Sequence, residues 1–379
     1  MATAPNVKVP KSQIRAIPGT KPATRNAQLL VSSGIPSLDH FIGGGVPIGS
    51  ILLVEEDPYN TYAKVIYKYF IAEGIECTHS VFVASQDAKP EQILKELPAV
   101  VKEDEPKHRP KVSSAKDDEM IIAWRYQNMK IVDSSPGDKS IFGHYYDLTK
   151  NISKEALEKA DITTWNGENI QCQNNLFENA AYYDLLLSID KTIQKGNFSI
   201  SQTASERNIL RIAIQCIGSR MWMSDTEEKT SKDLVKFVYM LRALLRESYA
   251  VVILTIPPLN YEETTTVQRV EHLSDIVVDL ESFAGSAKET NPVFKDYHGL
   301  LNVKKLPAFN TLVSQESLYS DLAFKLRRKK FLIEILHLPP ELGETTQREQ
   351  DDLGCCSSTG RGGGGGCSSG SRGHSKLDF

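Results

Sequence analysis

The 379-residue sequence lacks most of the features that mark a specialised class of protein. Its six cysteines, Cys77, Cys172, Cys216, Cys355, Cys356 and Cys367, make no CxxC pair and have no nearby histidine at the spacing of a zinc module. Three of them lie in a Gly/Ser tail that offers no core to staple, so a disulfide framework is excluded and a reducing compartment expected. No apolar run reaches the ~20 residues needed to cross a bilayer. Met1 to Lys11 is polar and broken by proline, without the apolar centre of a signal peptide. These absences point to the cytoplasm and nucleus and away from a membrane. Strong charge of one sign is missing too. With a formal net charge of -4, any nucleic-acid contact must come from a local basic patch.

What is present is the composition of a globular protein, 40% hydrophobic and 24% charged. Residues 1–27 are rich in Pro, Thr, Lys and Asn and are expected to be disordered. One domain is expected over 28–340, with insertions near 102–119 and 149–205, the second as loops with a helix near Tyr182 to Ile193, followed by a flexible Gly/Ser tail over 341–379. Within the domain, Ser50–Val54, Ser80–Ala84, Met120–Trp124, Ile209–Ile214 and Val251–Ile256 are short apolar runs, as expected of strands buried on both faces. Ile276–Leu280, Leu300–Val303 and Phe331–Leu336 supply the last strands. Between them, Tyr62, Val65, Ile66, Tyr69 and Phe70 share one helical face, and Leu234, Phe237, Val238, Leu241 and Leu245 mark another helix, with Ser231 as its expected cap. Alternating strands and helices predict an α/β class with a central, mostly parallel sheet. Ligand chemistry in such sheets sits beyond the carboxyl ends of the strands, here after Val54, Ala84, Ile214 and Ile256.

The entry to the first of these strands has a distinctive order. Ser33-Gly34-Ile35-Pro36-Ser37-Leu38-Asp39 is followed by Gly43-Gly44-Gly45-Val46-Pro47-Ile48-Gly49-Ser50. It resembles the entry to RecA-like recombinase and KaiC-type ATPase domains. In that frame the next turn would be GxxxxGK[ST], whose amides, lysine and hydroxyl hold phosphates and Mg2+. This chain has Glu56-Asp57-Pro58-Tyr59-Asn60-Thr61-Tyr62-Ala63. Glu56 and Thr61 stand at the two glycines, Tyr62 at the lysine and Ala63 at the Ser/Thr. Carboxylates at this helix start repel a triphosphate. The resemblance also places Ser85 at the catalytic glutamate, matched through Lys89-Pro90-Glu91-Gln92-Ile93, and Gln215 and Cys216 at the Walker B Asp-Ser. Ile256-Pro257 replaces the sensor Asn-Gln. The frame is kept while its phosphoryl-transfer groups are missing, so a RecA-like P-loop fold without working Walker A or Walker B residues is expected.

Longer strings narrow the resemblance. They are Leu53 to Asn60, Ile122-Ala123-Trp124-Arg125-Tyr126-Gln127, Phe142-Gly143-His144-Tyr145-Tyr146-Asp147, Glu289-Thr290-Asn291-Pro292, Phe294 to Leu300 and Asp321 to Leu326. Together they resemble the PAXNEB family of RecA-like Elongator subunits over about residues 27–340, and Leu377-Asp378-Phe379 matches its C-terminus. The resemblance implies a pseudo-ATPase that forms a hetero-hexameric ring with two other RecA-like Elongator subunits. It implies that the ring joins a catalytic subcomplex, binds tRNA and supports formation of a 5-carboxymethyl-type group on wobble uridine. The chain alone is expected to bind no cofactor. ATP and Mg2+ belong, if anywhere, at subunit interfaces of the ring.

In such rings the loops after the Walker B and sensor strands face the pore. The first carries Arg220 and Trp222, read either as a phosphate contact beside a base-stacking ring or as a Met-Trp plug packed against a neighbouring subunit. Arg327-Arg328-Lys329-Lys330 is the strongest basic run, a solvated face or a rim contact to phosphate. Arg125, Arg242 and Arg246 stand as fingers toward a neighbour's nucleotide or as salt-bridge residues. His144 has no second acid–base partner in sequence and is read as structural. Two further classes stay open: a DNA-recombinase mediator, and an ATPase active through an unconventional loop.

Overall fold

The computed structural model describes residues 17–23, 28–101, 142–168, 170, 176–202, 207–261, 264–311, 319 and 321–336. The expectations for residues 1–16, 102–119 and 341–379, the strand Met120–Trp124 and Arg125 all lie outside the described residues. The compact unit runs to Leu336.

The chain opens with β1 (Thr20–Pro22) and β2 (Leu29–Val31), then α1 (Pro36–Phe41) and β3 (Val46–Pro47). Strands β1, β2 and β3 form a small antiparallel sheet. The three glycines before β3 all take positive φ, 98°, 105° and 137°. At Gly45 a Cβ would meet the Val31 carbonyl oxygen at 2.7 Å, so only glycine fits this reversal.

The main body follows with β4 (Ile51–Glu55), α2 (Tyr62–Glu76), β5 (Ser80–Ala84), α3 (Pro90–Lys95) and β6 (Pro98–Val100). Next come β7 (Tyr146–Asn151), α4 (Lys154–Lys159), β8 (Ile162–Trp165), α5 (Ala180–Lys195) and β9 (Leu210–Ile214). The remainder is α6 (Glu227–Arg246), β10 (Ala250–Ile256), α7 (Thr264–Leu273), β11 (Ile276–Ser282), β12 (Gly299–Lys305), β13 (Leu322–Leu326) and β14 (Phe331–Ile335). The nine-stranded sheet has the order β14-β13-β12-β11-β4-β10-β9-β5-β8. From β8 to β11 every neighbouring pair is parallel. From β11 to β14 every pair is antiparallel. This is the expected α/β, RecA-like architecture: β4, the phosphate-loop strand of the frame, and β9, its Walker B strand, flank β10.

Every residue of β4, β5, β9 and β10 is buried. Alternation divides them between two cores. Leu52 and Val54 pack with α2 on one face. Ile51 and Leu53 pack with α5, α6 and α7 on the other.

Two local readings are corrected. Helix α6 begins at Glu227, capped by the Thr226 hydroxyl on the Lys229 amide, and not at Ser231. The polar 149–205 stretch has its expected helix near Tyr182 to Ile193 as α5 (Ala180–Lys195), but it also adds a strand to the main sheet. Strand β8 pairs in parallel with β5, and Tyr182, Leu185 and Ile189 of α5 are buried. Few apolar residues suffice because each is large and well placed. Among the described residues no helix is long and apolar enough to cross a membrane.

Candidate functional site

The carboxyl ends of β4, β5, β9 and β10 gather around a small cleft of about 200 Å3. Glu56, Asp57, Asn60, Asp87, Cys216 and Ser219 line it, with Pro257 and Pro258 on the β10 side. Of the degenerate positions read from sequence, Glu56, Cys216 and Pro257 line it, and Thr61, Tyr62, Ala63, Ser85 and Gln215 do not.

The Asp57 carboxylate governs the phosphate-cradle position. It accepts bonds from the amides of Thr61 at 3.1 Å, Tyr62 at 2.9 Å and Ala63 at 3.3 Å. These are the unsatisfied donors at the start of α2, the groups a phosphate would use. The chain's own side chain holds them. Tyr62 turns away and packs on Phe324, ring centroids 4.6 Å apart. Ala63 is buried. Replacing Asp57 with alanine should lower stability by about 1 kcal/mol, read as a shift in the urea midpoint, because it exposes three helix-start amides without a partner.

Glu56 is also buried, and Thr255 Oγ1 donates to it at 2.5 Å. The same hydroxyl accepts from the Cys216 amide at 2.8 Å, so one threonine ties together the ends of β4, β9 and β10. Burial pushes the Glu56 carboxyl up from its ordinary range, against the bonds from Thr255 and Cys216. Burial raises Asp87 too, against its bond from Ser219. The Cys216 thiol is raised by burial and then by the Glu56 charge, and it is no ready nucleophile. Ser85, at the catalytic-glutamate position, is buried and accepts from the Ala88 amide at 3.1 Å. Gln215, at the Walker B position, is buried, and among the described residues its Oε1 has no hydrogen-bond partner. Among the described residues, three carboxylates, Glu56, Asp57 and Asp87, and no lysine or arginine line the cleft, the reverse of the charge a triphosphate needs. Sequence reasoning missed Thr255, Asn60 and Asp87. Thr255 was findable, as the one polar residue in the strand Val251–Ile256.

The candidate RNA residues divide. Arg220 is exposed on a 3-10 turn, Arg220–Trp222. Trp222 is fully buried, stacked on Trp165 at 5.5 Å and close to Tyr182 at 4.9 Å. It cannot stack on a base, because its ring fills the core between β8 and α5. The reading of a Met-Trp plug against a neighbouring subunit is corrected as well: the ring packs within its own chain, and Met221 and Met223 are exposed. Arg327, Arg328, Lys329 and Lys330 are all exposed. They form the tight turn from β13 to β14, closed by the Arg327 amide on the Lys330 carbonyl at 2.9 Å. Arg242 and Arg246 both reach Asp275, at 3.4 and 2.7 Å, and Arg246 also lies over Phe309. They are salt-bridge residues of the α6 surface.

A second polar cluster lies on the opposite face of the sheet. Arg211 of β9 is fully buried; it donates to His79 Nδ1 at 3.0 Å and to the Ser32 carbonyl at 2.9 Å. Glu73 of α2 is fully buried and accepts from Tyr146 at 2.7 Å, from the His144 amide at 3.1 Å and from Cys77 at 3.4 Å. Burial alone would raise the Glu73 carboxyl. The His144 bond, the Arg211 charge and the Tyr146 bond outweigh it and hold the group down at about 2. An arginine in Leu210–Ile214 and a glutamate on the buried face of α2 were the available signals.

The PAXNEB protein family profile matches residues 13–379. Elongator complex protein 4 of Mus musculus is 44% identical, over 97% of this chain and 90% of its own length. The Homo sapiens protein of that name is 42% identical, over 96% and 89%. That of Saccharomyces cerevisiae is 24% identical, over 86% and 77%. Among solved structures, a KaiC-like protein of Pyrococcus horikoshii overlays 80% of this chain and 98% of its own, at 14% identity and a TM-score of 0.47. The family profile spans nearly the whole chain and the mouse and human relatives exceed two-fifths identity along it, so the chain belongs to the PAXNEB protein family.

Proposed function

We propose that the chain is a non-catalytic RecA-like subunit of the Elongator complex. In this reading it alternates with two other RecA-like subunits in a hetero-hexameric ring. The ring binds tRNA and supports 5-carboxymethyl-type modification of wobble uridine by a separate catalytic subcomplex, in cytoplasm and nucleus. The relatives' names support the assembly. The Asp57 carboxylate on the amides of Thr61, Tyr62 and Ala63 carries the non-catalytic part, because it occupies the donors a nucleotide would need. Glu56 and Gln215 stand where a phosphate-approaching glycine and a metal-holding aspartate would be. Any ATP and Mg2+ in the ring then lie at subunit interfaces, to which this chain offers a wall. The exposed turn Arg327–Lys330 is the leading candidate to meet tRNA phosphates.

The test is to co-express the chain with the two partner subunits and titrate labelled tRNA at several salt concentrations. Reversing Arg328 and Lys329 to glutamate should weaken tRNA binding about tenfold. It should also flatten the salt slope by about 0.7–0.9 for each phosphate no longer neutralised. An assembly that prefers single-stranded DNA would favour the recombinase-mediator reading. ATP turnover by the lone chain, abolished at Tyr62 or Gln215, would favour the unconventional ATPase.

A further inference from the structure

No zinc module is written in the spacing of the cysteines, yet folding assembles a ligand set from residues far apart. Glu73 lies in the last turn of α2, Cys77 caps its C-terminus four residues on, and His144 is carried in by the segment that leads into β7. Among the described residues these three form the one group of its kind, with donor atoms all within 4.8 Å of one another. Cys77 Sγ is 3.4 Å and His144 Nδ1 3.2 Å from the Glu73 carboxylate. Around a tetrahedral zinc ion, with Zn–N near 2.0 Å and Zn–S near 2.3 Å, neighbouring ligand atoms sit about 3.3–3.5 Å apart. The two contacts to Glu73 are already at that spacing, and the thiol and imidazole lie within 4.8 Å of each other, so an ion needs only a small closing movement to enter.

We propose that Glu73, Cys77 and His144 form a binding site for one borderline-soft divalent metal ion, of which Zn2+ is the type. The donor set of one thiolate, one imidazole and one carboxylate suits that class and disfavours Mg2+ or Ca2+. Binding displaces the Cys77 S–H proton to solvent. It also requires the His144 proton to reside on Nε2, leaving Nδ1 as the ligand. A water molecule or the Tyr146 hydroxyl supplies the fourth position.

The surroundings are those of an oriented site. The His144 amide and the Tyr146 hydroxyl both bond Glu73 and fix its carboxylate. Gly19 closes over the thiol, where a Cβ would come within 2.5 Å of Cys77 Sγ. His144 borders a cleft of about 410 Å3 with Tyr69, Tyr146 and Lys330, which gives an ion a path from solvent. The charge of Arg211 opposes a cation. It is spread over bonds to His79 and to the carbonyls of Ser32 and Phe70, and loss of the thiol proton offsets it. The ion would clamp α2 to the strand that follows residue 145, across sequence positions 73 to 144.

The experiment uses the full chain, purified metal-free and titrated with Co2+ and then Zn2+. We expect a single equivalent of Co2+ to give thiolate charge-transfer absorption, which Zn2+ abolishes by displacement. Cys77→Ser should remove the absorption, and His144→Ala should weaken metal affinity by about 100-fold or more. The triple change C355S, C356S and C367S should leave both intact. Absence of absorption at equimolar Co2+ overturns the site. So does absorption that survives Cys77→Ser and disappears in the tail variant. Should Cys77→Ser fail to fold, the partly exposed His144→Ala decides: undiminished metal affinity in that variant refutes the proposal.

Discussion

Trp222→Ala should cost about 3–5 kcal/mol of unfolding free energy, among the largest losses available to a single residue here. The indole is fully buried, stacked on Trp165 and close to Tyr182, so its removal leaves a cavity bounded by β8 and α5. A domain of this size holds roughly 5–15 kcal/mol in total, so the variant should be close to unfolding at physiological temperature. Arg220→Ala, two residues away and exposed, should change stability by no more than about 0.5 kcal/mol. Denaturant midpoints of the two variants separate the roles. Equal shifts would show that the stacked cluster is not the support described.

Arg211→Leu should cost a comparable ~3–5 kcal/mol, for a different reason. Here no large cavity opens. The guanidinium is the positive charge facing buried Glu73, and it satisfies the carbonyls of Ser32 and Phe70 and the ring of His79. Its loss leaves the buried carboxylate with only the part-exposed His144 to oppose its charge, and takes a donor from the Ser32 carbonyl and from His79 Nδ1. Adding Glu73→Gln should restore part of the loss, because the uncompensated charge goes with it. A double-mutant cycle in urea measures that coupling, and strict additivity of the two changes would refute it.

The legible part of the molecule is the part whose signal is local. Continuous apolar runs mark β4, β5 and β10 because a strand buried on both faces must be apolar at every position. The three glycines before β3 announce positive φ, and all three have it. Glu56, Ser85 and Gln215 directly follow β4, β5 and β9, strands of one sheet, and Tyr62 opens α2. The rest needs distance information. Trp222 reads as a surface aromatic because it follows an arginine between two methionines. Its partners, Trp165 and Tyr182, lie some tens of residues earlier, in a stretch whose polar composition hides them. Asp57 reads as hostile to phosphate through repulsion alone. Its role as a cap on three amides depends on a backbone turn that no periodicity encodes. Glu73, Cys77 and His144 meet only through the packing of the segment before β7 against α2.

The position of Tyr62 bears on reversibility. Its side chain is nine-tenths buried, lying against Phe324 and near His298, so it belongs to the seam between α2 and the antiparallel strands. A lysine there would place an ammonium inside that seam and remove an aromatic contact, while Asp57 still held the amides and Glu56 still faced the cleft. Each intermediate on the way to a working cradle is less stable than the present chain. The arrangement works as a ratchet: fold stability rests on Tyr62 and Asp57 themselves, so single substitutions toward a phosphate-binding loop lead downhill, by packing as well as by chemistry.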